Sequence, residues 1–304
     1  MKNLLKKLKS IIPPQWIAMP FIVVFWLVTR LNLKWQFRIG RLIGRTIQLF
    51  PSKLTRTTEI NIKHCFPELS DAERKTLISK NFESLGLGVM ECAMSMLLPW
   101  KENDGLFKIN GLEHGKAAQA KGKGILLVGP HFTSIEMVGR MIPKGYPLVV
   151  VYRPHKKKQI TYIQEKFRRH HYAHYISRDK VRDIVRALQN NMAVWYAYDV
   201  DAGSKRSVFA PFFGIQTATL TSVSRLVQLT GATVIPVSYY RHDDEFRYEM
   251  NLLPPFDHFP SDDPVKDAAM INAELEKAIR QKPEQYIWQY KRFKTRPPGE
   301  KSFY

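Results

Sequence analysis

Cysteine is nearly absent: Cys65 and Cys92 are the only two in 304 residues. Two thiols without paired spacing give neither a disulfide framework nor a metal-ligand pattern, which suits a reducing compartment and reads both as small buried hydrophobes. Acidic residues are short as well, with 27 Asp and Glu against 47 Lys and Arg, a formal charge of +20. That excess points to an anionic partner, whether nucleic acid, phospholipid or an acidic protein, and does not choose among them. No internal repeat or low-complexity linker appears, which leaves one domain with an appended amino-terminal segment. The chain also lacks a G-x-S-x-G elbow, an H-E-x-x-H zinc motif, and any RRM or zinc-finger pattern. What remains is a folded protein, 44% hydrophobic, long enough for one large α/β domain or two small ones.

The amino terminus opens basic and amphipathic, "MKNLLKKLKS", followed by an uncharged run from Ile11 to Val28. Pro13, Pro14 and Pro20 interrupt that run, so its continuous apolar length falls short of the roughly 20 residues a bilayer requires. Basic residues flank both ends and give no orientation. No small-residue cleavage site follows, which argues against a removed signal. Residues 1–30 are therefore expected to be a membrane anchor or interfacial helix, the alternative being an ordinary buried helix.

Residues 31–100 read as a helical lead-in, with Ser70 and Glu73 forming a capping box and Leu77, Ile78 and Phe82 on an apolar face that ends at Pro99. From 106 to 304 the pattern becomes an α/β core. Strand candidates are "LFKIN", "GILLVG", "PLVVVYR", "AVWYAYD" and "TVIPVSYYR", and helices between them include "SIEMVGRMI", "KKKQITYIQEKFRRHHYAHYI", "SRDKVRDIVRALQNN" and "ATLTSVSRLVQLTG". The order predicts a mostly parallel central sheet flanked by helices, with ligands bound where strands end and helices begin.

One such junction is "GILLVGPHFTSIEM". Gly129-Pro130 forces a turn, and Thr133 or Ser134 is a good N-cap, so His131 lies beyond the strand and before the helix. Were His131 and Glu136 both helical, they would point about 140° apart. With His131 in the turn and Glu136 in the first helical turn, one ring nitrogen can donate to the carboxylate while the other takes a proton from a hydroxyl. With no serine elbow and neither cysteine at such a junction, the nucleophile is a substrate alcohol.

His131 and Glu136 also match the motif H-x-x-x-x-D/E, and further blocks follow in order: "VYRPHKK" with Arg153, a basic segment with Arg168, "SRDKVRDIVRAL" with Arg178, "AVWYAYDVDAG" with Asp199 and Asp201, "SVFAPFFGIQTATLTSVSRLV", "TVIPV" and "YIWQYKRFKTRPPGE". Over nearly its whole length the chain resembles the bacterial lipid A late acyltransferases, the lauroyl/myristoyl transferases of the lysophospholipid acyltransferase superfamily. It departs in lacking the Gly-Asn-Trp often found between the family's His and acid, and in having Trp288-Gln289-Tyr290 where Trp-Val-His is commoner.

The resemblance implies acyl transfer from an acyl carrier protein thioester to a hydroxyl of a lipid A precursor, at the cytoplasmic face of the bacterial inner membrane, with no cofactor, no metal and no nucleic acid. His131 and Glu136 would be catalytic. Arg153, Arg168 and Arg178 are candidates for the anionic headgroup, or else solvated basic faces. Phe212, Phe213 and Gly214 sit in the block expected beside the fatty chain: the phenylalanines line a slot or pack in the core, and the backbone N–H groups near Gly214 are candidate oxyanion donors. Asp199 and Asp201 either order an arginine network or make a turn before Gly203. Two other readings stay open: a metal-dependent glycosyltransferase using Asp-Val-Asp, and a non-enzymatic basic membrane-surface or nucleic-acid-binding protein. His170 and His174, one helical turn apart, fit a basic amphipathic helix better than a zinc site.

Overall fold

A computed structural model describes residues 22–98, 105–142, 147–154 and 174–304, without the side chains of Val138 and His174. Most of the expected anchor, Pro99, Arg168, His170 and most of the helix expected from 156 to 176 lie outside the described residues.

Among the described residues a helical stretch over 22–28 is followed, before the sheet, by α1 (Leu33–Leu49), α2 (Lys53–Cys65) and α3 (Asp71–Leu97). Each of these three starts on a polar cap, Asn32, Ser52 and Ser70, whose side chain accepts a first-turn N–H. The expected capping box is present: Ser70 Oγ accepts the Glu73 N–H and the Glu73 carboxylate accepts the Ser70 N–H. Helices α1 and α3 approach so closely that a Cβ on Gly86 would lie 2.1 Å from the Gly40 carbonyl oxygen, a contact only glycine allows.

The sheet has seven strands in the order β1-β9-β8-β2-β5-β3-β4. These are β1 (Phe107–Asn110), β2 (Ile125–Gly129), β3 (Leu148–Tyr152), β4 (His174–Ser177), β5 (Ala193–Ala197), β8 (Thr233–His242) and β9 (Arg247–Leu252). Among the described strands of this sheet, only the β8–β9 pairing is antiparallel. The expected mostly parallel sheet is thus observed. Strand β2 is buried along its whole length between β5 and β8, as expected for an unbroken apolar run at the centre of a covered sheet. Connecting helices are α4 (Leu112–Ala120), α5 (Ile135–Met141), α6 (Val181–Gln189) and α7 (Ser222–Thr230), and α8 (Pro264–Gln281) follows β9.

Two sequence expectations are corrected. Residues 174–176, read as the end of one helix, and Ser177, read as the start of the next, form strand β4, whose Tyr175 stacks on Tyr152 of β3 at 3.8 Å. Residues 218–220, read as the start of a helix, belong to strand β7 (Ile215–Leu220), paired antiparallel with β6 (Ser207–Phe212). The joining residues Phe213 and Gly214 both have positive φ, +51° and +72°, the geometry of a two-residue hairpin turn. The alternating Thr217 and Thr219 suit a strand, and the helix begins only at Ser222.

Candidate active site

Parallel pairing in register brings the site together. Gly129 at the end of β2 is paired with Ala197 at the end of β5, so His131 and Asp199, each two residues further on, emerge side by side at the carboxyl edge of the sheet. The Asp199 carboxylate receives the His131 backbone N–H on Oδ2 at 2.8 Å and lies 2.5 Å from the ring Nδ1 through Oδ1. Asp199 is completely buried, whereas the His131 side chain keeps 19% of its surface open. The acid on the imidazole is therefore Asp199, where the sequence reading expected Glu136. Glu136 lies in the first turn of α5, as read, but the register places the β5 carboxylate directly against the ring.

Burial alone would lower the His131 pKa, yet the Asp199 charge and hydrogen bond outweigh it and hold the imidazole above its ordinary value. For Asp199, burial pushes upward and the His131 charge and hydrogen bonds pull down further, leaving the carboxyl below the usual range. The pair favours an imidazolium held by a carboxylate, the state formed when a base has just taken a proton.

The His131 backbone is pinned from three sides. Tyr239 donates its hydroxyl to the Pro130 carbonyl and accepts the Phe132 N–H. Residues 284–290 run past the loop as a short strap: Ile287 N–H donates to the His131 carbonyl at 2.9 Å, and Thr133 N–H to the Gln285 carbonyl at 2.8 Å. From α3, Gly88 comes so near that a Cβ there would lie 2.6 Å from the Thr133 carbonyl oxygen.

The strap is itself held by two buried asparagines of the helical lead-in. Asn81 donates to the carbonyls of Glu284 and Tyr286, and Asn61 to those of Trp288 and Tyr290. Behind Thr133 lies a buried ionic network. Thr133 Oγ1 is 2.7 Å from Ser84 Oγ, which accepts from Arg241, and Arg241 also binds Glu91 and Asp243.

Tyr290 and Tyr286 belong to the site, although the sequence reading gave neither a role there. The Tyr290 ring meets His131 edge-on, with centroids 5.6 Å apart. Its hydroxyl pKa is raised by burial and by the Asp199 charge, and lowered by Arg153, which places that guanidinium within electrostatic reach. Tyr286, buried, has its hydroxyl pushed well up by burial and then by Asp199. The only sequence signal was positional: both lie in the "YIWQY" block.

The remaining candidates divide. Arg153 follows the last residue of β3, and Arg178 follows the paired residue of β4, its N–H donating to the Tyr152 carbonyl at 2.8 Å, so both stand at the same sheet edge as His131. Asp201 makes a turn and ties down the carboxyl-terminal segment: its carboxylate accepts the N–H of Gly203 and the N–H and hydroxyl of Thr295. Asp199 and Asp201 thus serve different partners rather than one shared ion. Phe212 and Phe213 are core residues, packed against Phe293, Phe66 and Trp288. That packing, not an open slot, is what the structure shows for them. Gly214 sits in the β6–β7 turn and does not precede a helix.

An acid-backed histidine at the carboxyl edge of a parallel sheet, with arginines on neighbouring strand ends, is an arrangement able to move a proton beside an anionic group. The chain belongs to the bacterial lipid A biosynthesis acyltransferases, whose family model matches residues 5–295. It is 36% identical to the lipid A biosynthesis lauroyltransferase of Escherichia coli K12 over the whole of both chains. It is 35% identical to the palmitoleoyltransferase of the same organism over 96% of this chain and 95% of that one. The E. coli myristoyltransferase is 25% identical over 86% of this chain and 81% of its own.

Proposed function

We propose that this protein is an O-acyltransferase that moves a fatty acyl chain from the thioester of acyl carrier protein to a hydroxyl of a lipid A precursor, at the cytoplasmic face of the bacterial inner membrane. Membership of the family, with relatives named for lauroyl, palmitoleoyl and myristoyl transfer, supports the reaction class. The observation that carries the chemistry is the His131–Asp199 contact at 2.5 Å.

In this reading Asp199 fixes the proton on Nδ1, so Nε2 is the basic nitrogen. It takes the proton of the acceptor hydroxyl as the oxygen attacks the thioester carbonyl. The tetrahedral intermediate then expels the carrier thiolate, which receives the proton back from Nε2, giving an ester and a free thiol. The thioester is already activated, so the protein needs a base, donors for the oxyanion and correct placement. Arg153 and Arg178, at the edge shared with His131, meet the anionic headgroup; Arg168 is assigned there on the motif alone. Glu136, not the acid on the ring in this geometry, is kept in the site on the H-x-x-x-x-D/E motif alone. Residues 1–30 serve as the membrane anchor or interfacial helix; among the described residues no helix is long and apolar enough to cross a bilayer.

Mass spectrometry of lipid A from cells lacking the protein tests the reading: a missing secondary acyl chain supports it, and an unchanged spectrum refutes it. His131→Ala should abolish turnover with purified acyl carrier protein substrate while the protein stays folded. A strict requirement for divalent metal, lost on chelation, would instead favour the glycosyltransferase reading.

A further inference from the structure

The exposed side of α1 carries what a water-facing helix avoids. Its buried side is accounted for: Gln36, Phe37, Gly40 and Gly44 face inward, the glycines against α3. At about 100° per residue, Trp35, Arg38, Leu42, Arg45 and Leu49 fall in one narrow stripe on the opposite side. Trp35 is 50% exposed, Leu42 63% and Leu49 79%. Phe50 and Leu54 extend the patch into the next helix, and exposed Trp26, Leu27 and Leu31 precede it. Single exposed apolar residues are ordinary; a run at heptad spacing is not.

The charge around this patch has one sign. The first acidic residue of the chain is Glu59, and the 58 residues before it contain eleven lysines and arginines. Two of these are engaged, Arg41 with Asp243 and Arg45 with Glu83. Arg30, Lys34, Arg38, Lys53 and Arg56 are exposed and form no ion pair among the described residues. Arg30 and Arg38 lie over the rings of Trp26 and Trp35, at 4.7 and 4.9 Å, a cation beside an indole that suits the headgroup boundary.

We infer that the Trp35–Leu42–Leu49 stripe of α1 is a docking face for an anionic lipid bilayer, lying in the interface with its apolar side chains below the headgroups and Arg30, Lys34 and Arg38 among the phosphates. The inference rests on the proposal that the enzyme works at a membrane, and extends the contact from the end of the 1–30 segment along α1. The alternative occupant of a basic apolar face is an acidic carrier protein. Indoles and leucines in a heptad stripe favour lipid.

The test uses the full chain with Cys92→Ala and a single environment-sensitive fluorophore on Leu42→Cys. Leu49→Cys provides a second site and Leu112→Cys on α4 a control. With phosphatidylglycerol-rich vesicles the α1 probes should shift to the blue and be quenched by a lipid-borne quencher, while the α4 probe does neither. Arg30→Gln, Lys34→Gln and Arg38→Gln should each weaken vesicle binding about fivefold at low salt. A probe on Leu42 that stays fully aqueous on vesicle-bound protein overturns the inference, as does a shift produced by acyl carrier protein and not by vesicles. Turnover on detergent-dispersed acceptor is measured in parallel. Membrane contact without any acyl transfer would sink the proposed reaction alone, and transfer without contact at α1 would sink this face alone.

Discussion

Asp199→Asn is the sharpest probe of the site because the structure fixes which way the introduced amide must turn. The oxygen facing the His131 backbone N–H at 2.8 Å has to remain an acceptor, since that donor cannot move without the loop. The amide therefore places its oxygen there and its NH2 toward Nδ1, now 2.5 Å from a carboxylate oxygen. An NH2 in that place demands a lone pair on Nδ1, which puts the ring proton on Nε2 and removes the base. The charge that stabilises the imidazolium disappears as well. Wrong-tautomer substitutions of this type cost about a thousand- to ten-thousandfold in kcat, about 4–5.5 kcal/mol of transition-state stabilisation. The assay is single-turnover acyl transfer from purified acyl carrier protein to lipid A precursor, with proton NMR of the low-field Nδ1–H resonance as the structural readout. The variant should be folded, lack that resonance and turn over at no more than a thousandth of the wild-type rate. A kcat within tenfold of wild type, with the resonance gone, would refute the assignment of Asp199 as the residue that orients the ring.

The pH behaviour follows from the same pair. Because His131 is raised above 6.5 and Asp199 held below 3.8, the pair's contribution to stability should be complete between those ordinary values. It should fade as pH rises through the folded His131 pKa, or falls through that of Asp199; thermal melts of wild type and Asp199→Asn across pH check this. Activity should run the opposite way, with kcat/KM rising on an ascending limb centred above 6.5; a limb below that value would contradict the raised pKa. Glu91→Ala leaves Arg241 buried with one fewer anion and should cost about 3–5 kcal/mol in urea unfolding. Asn81→Ala strips donors from two strap carbonyls and should cost about 1–3 kcal/mol. It should also lower kcat more than it raises KM, since the strap holds the loop and not the substrate.

Much of the fold was readable because apolar runs of β-branched residues punctuated by Gly and Pro are local signals. β2, β3, β5 and β8 all fall on such runs. The β6–β7 hairpin was misread because Phe213 occupies a positive-φ position that sequence patterns assign to Gly or Asn, so its turn carried half the usual signal. At the site, His131 was legible from its strand-turn-helix setting, but its partner was not. Spacing along the chain favoured Glu136, five residues away, whereas Asp199 is 68 residues distant and becomes a neighbour only through the parallel register of β2 and β5. A local motif names residues that travel together. It is silent about those that meet across strands.

The same limit explains why the strap escaped notice, and it bears on how the His131 loop is built. A loop at the end of a buried central strand needs partners for its backbone groups, or it would carry unsatisfied donors and acceptors. Here those partners come from both extremes of the described chain: Gln285 and Ile287 hold the loop directly, while Asn61 and Asn81 hold the strap. The Tyr304 hydroxyl donates to Asn61 in turn. A polar network in which every link supports the next resists piecemeal opening. The helical lead-in is therefore no mere spacer before an α/β core. If α1 rests on a membrane as inferred, its close packing on α3, and the reach of α3 to Thr133 through Gly88 and Ser84, carry that contact to the His131 loop through packed neighbours.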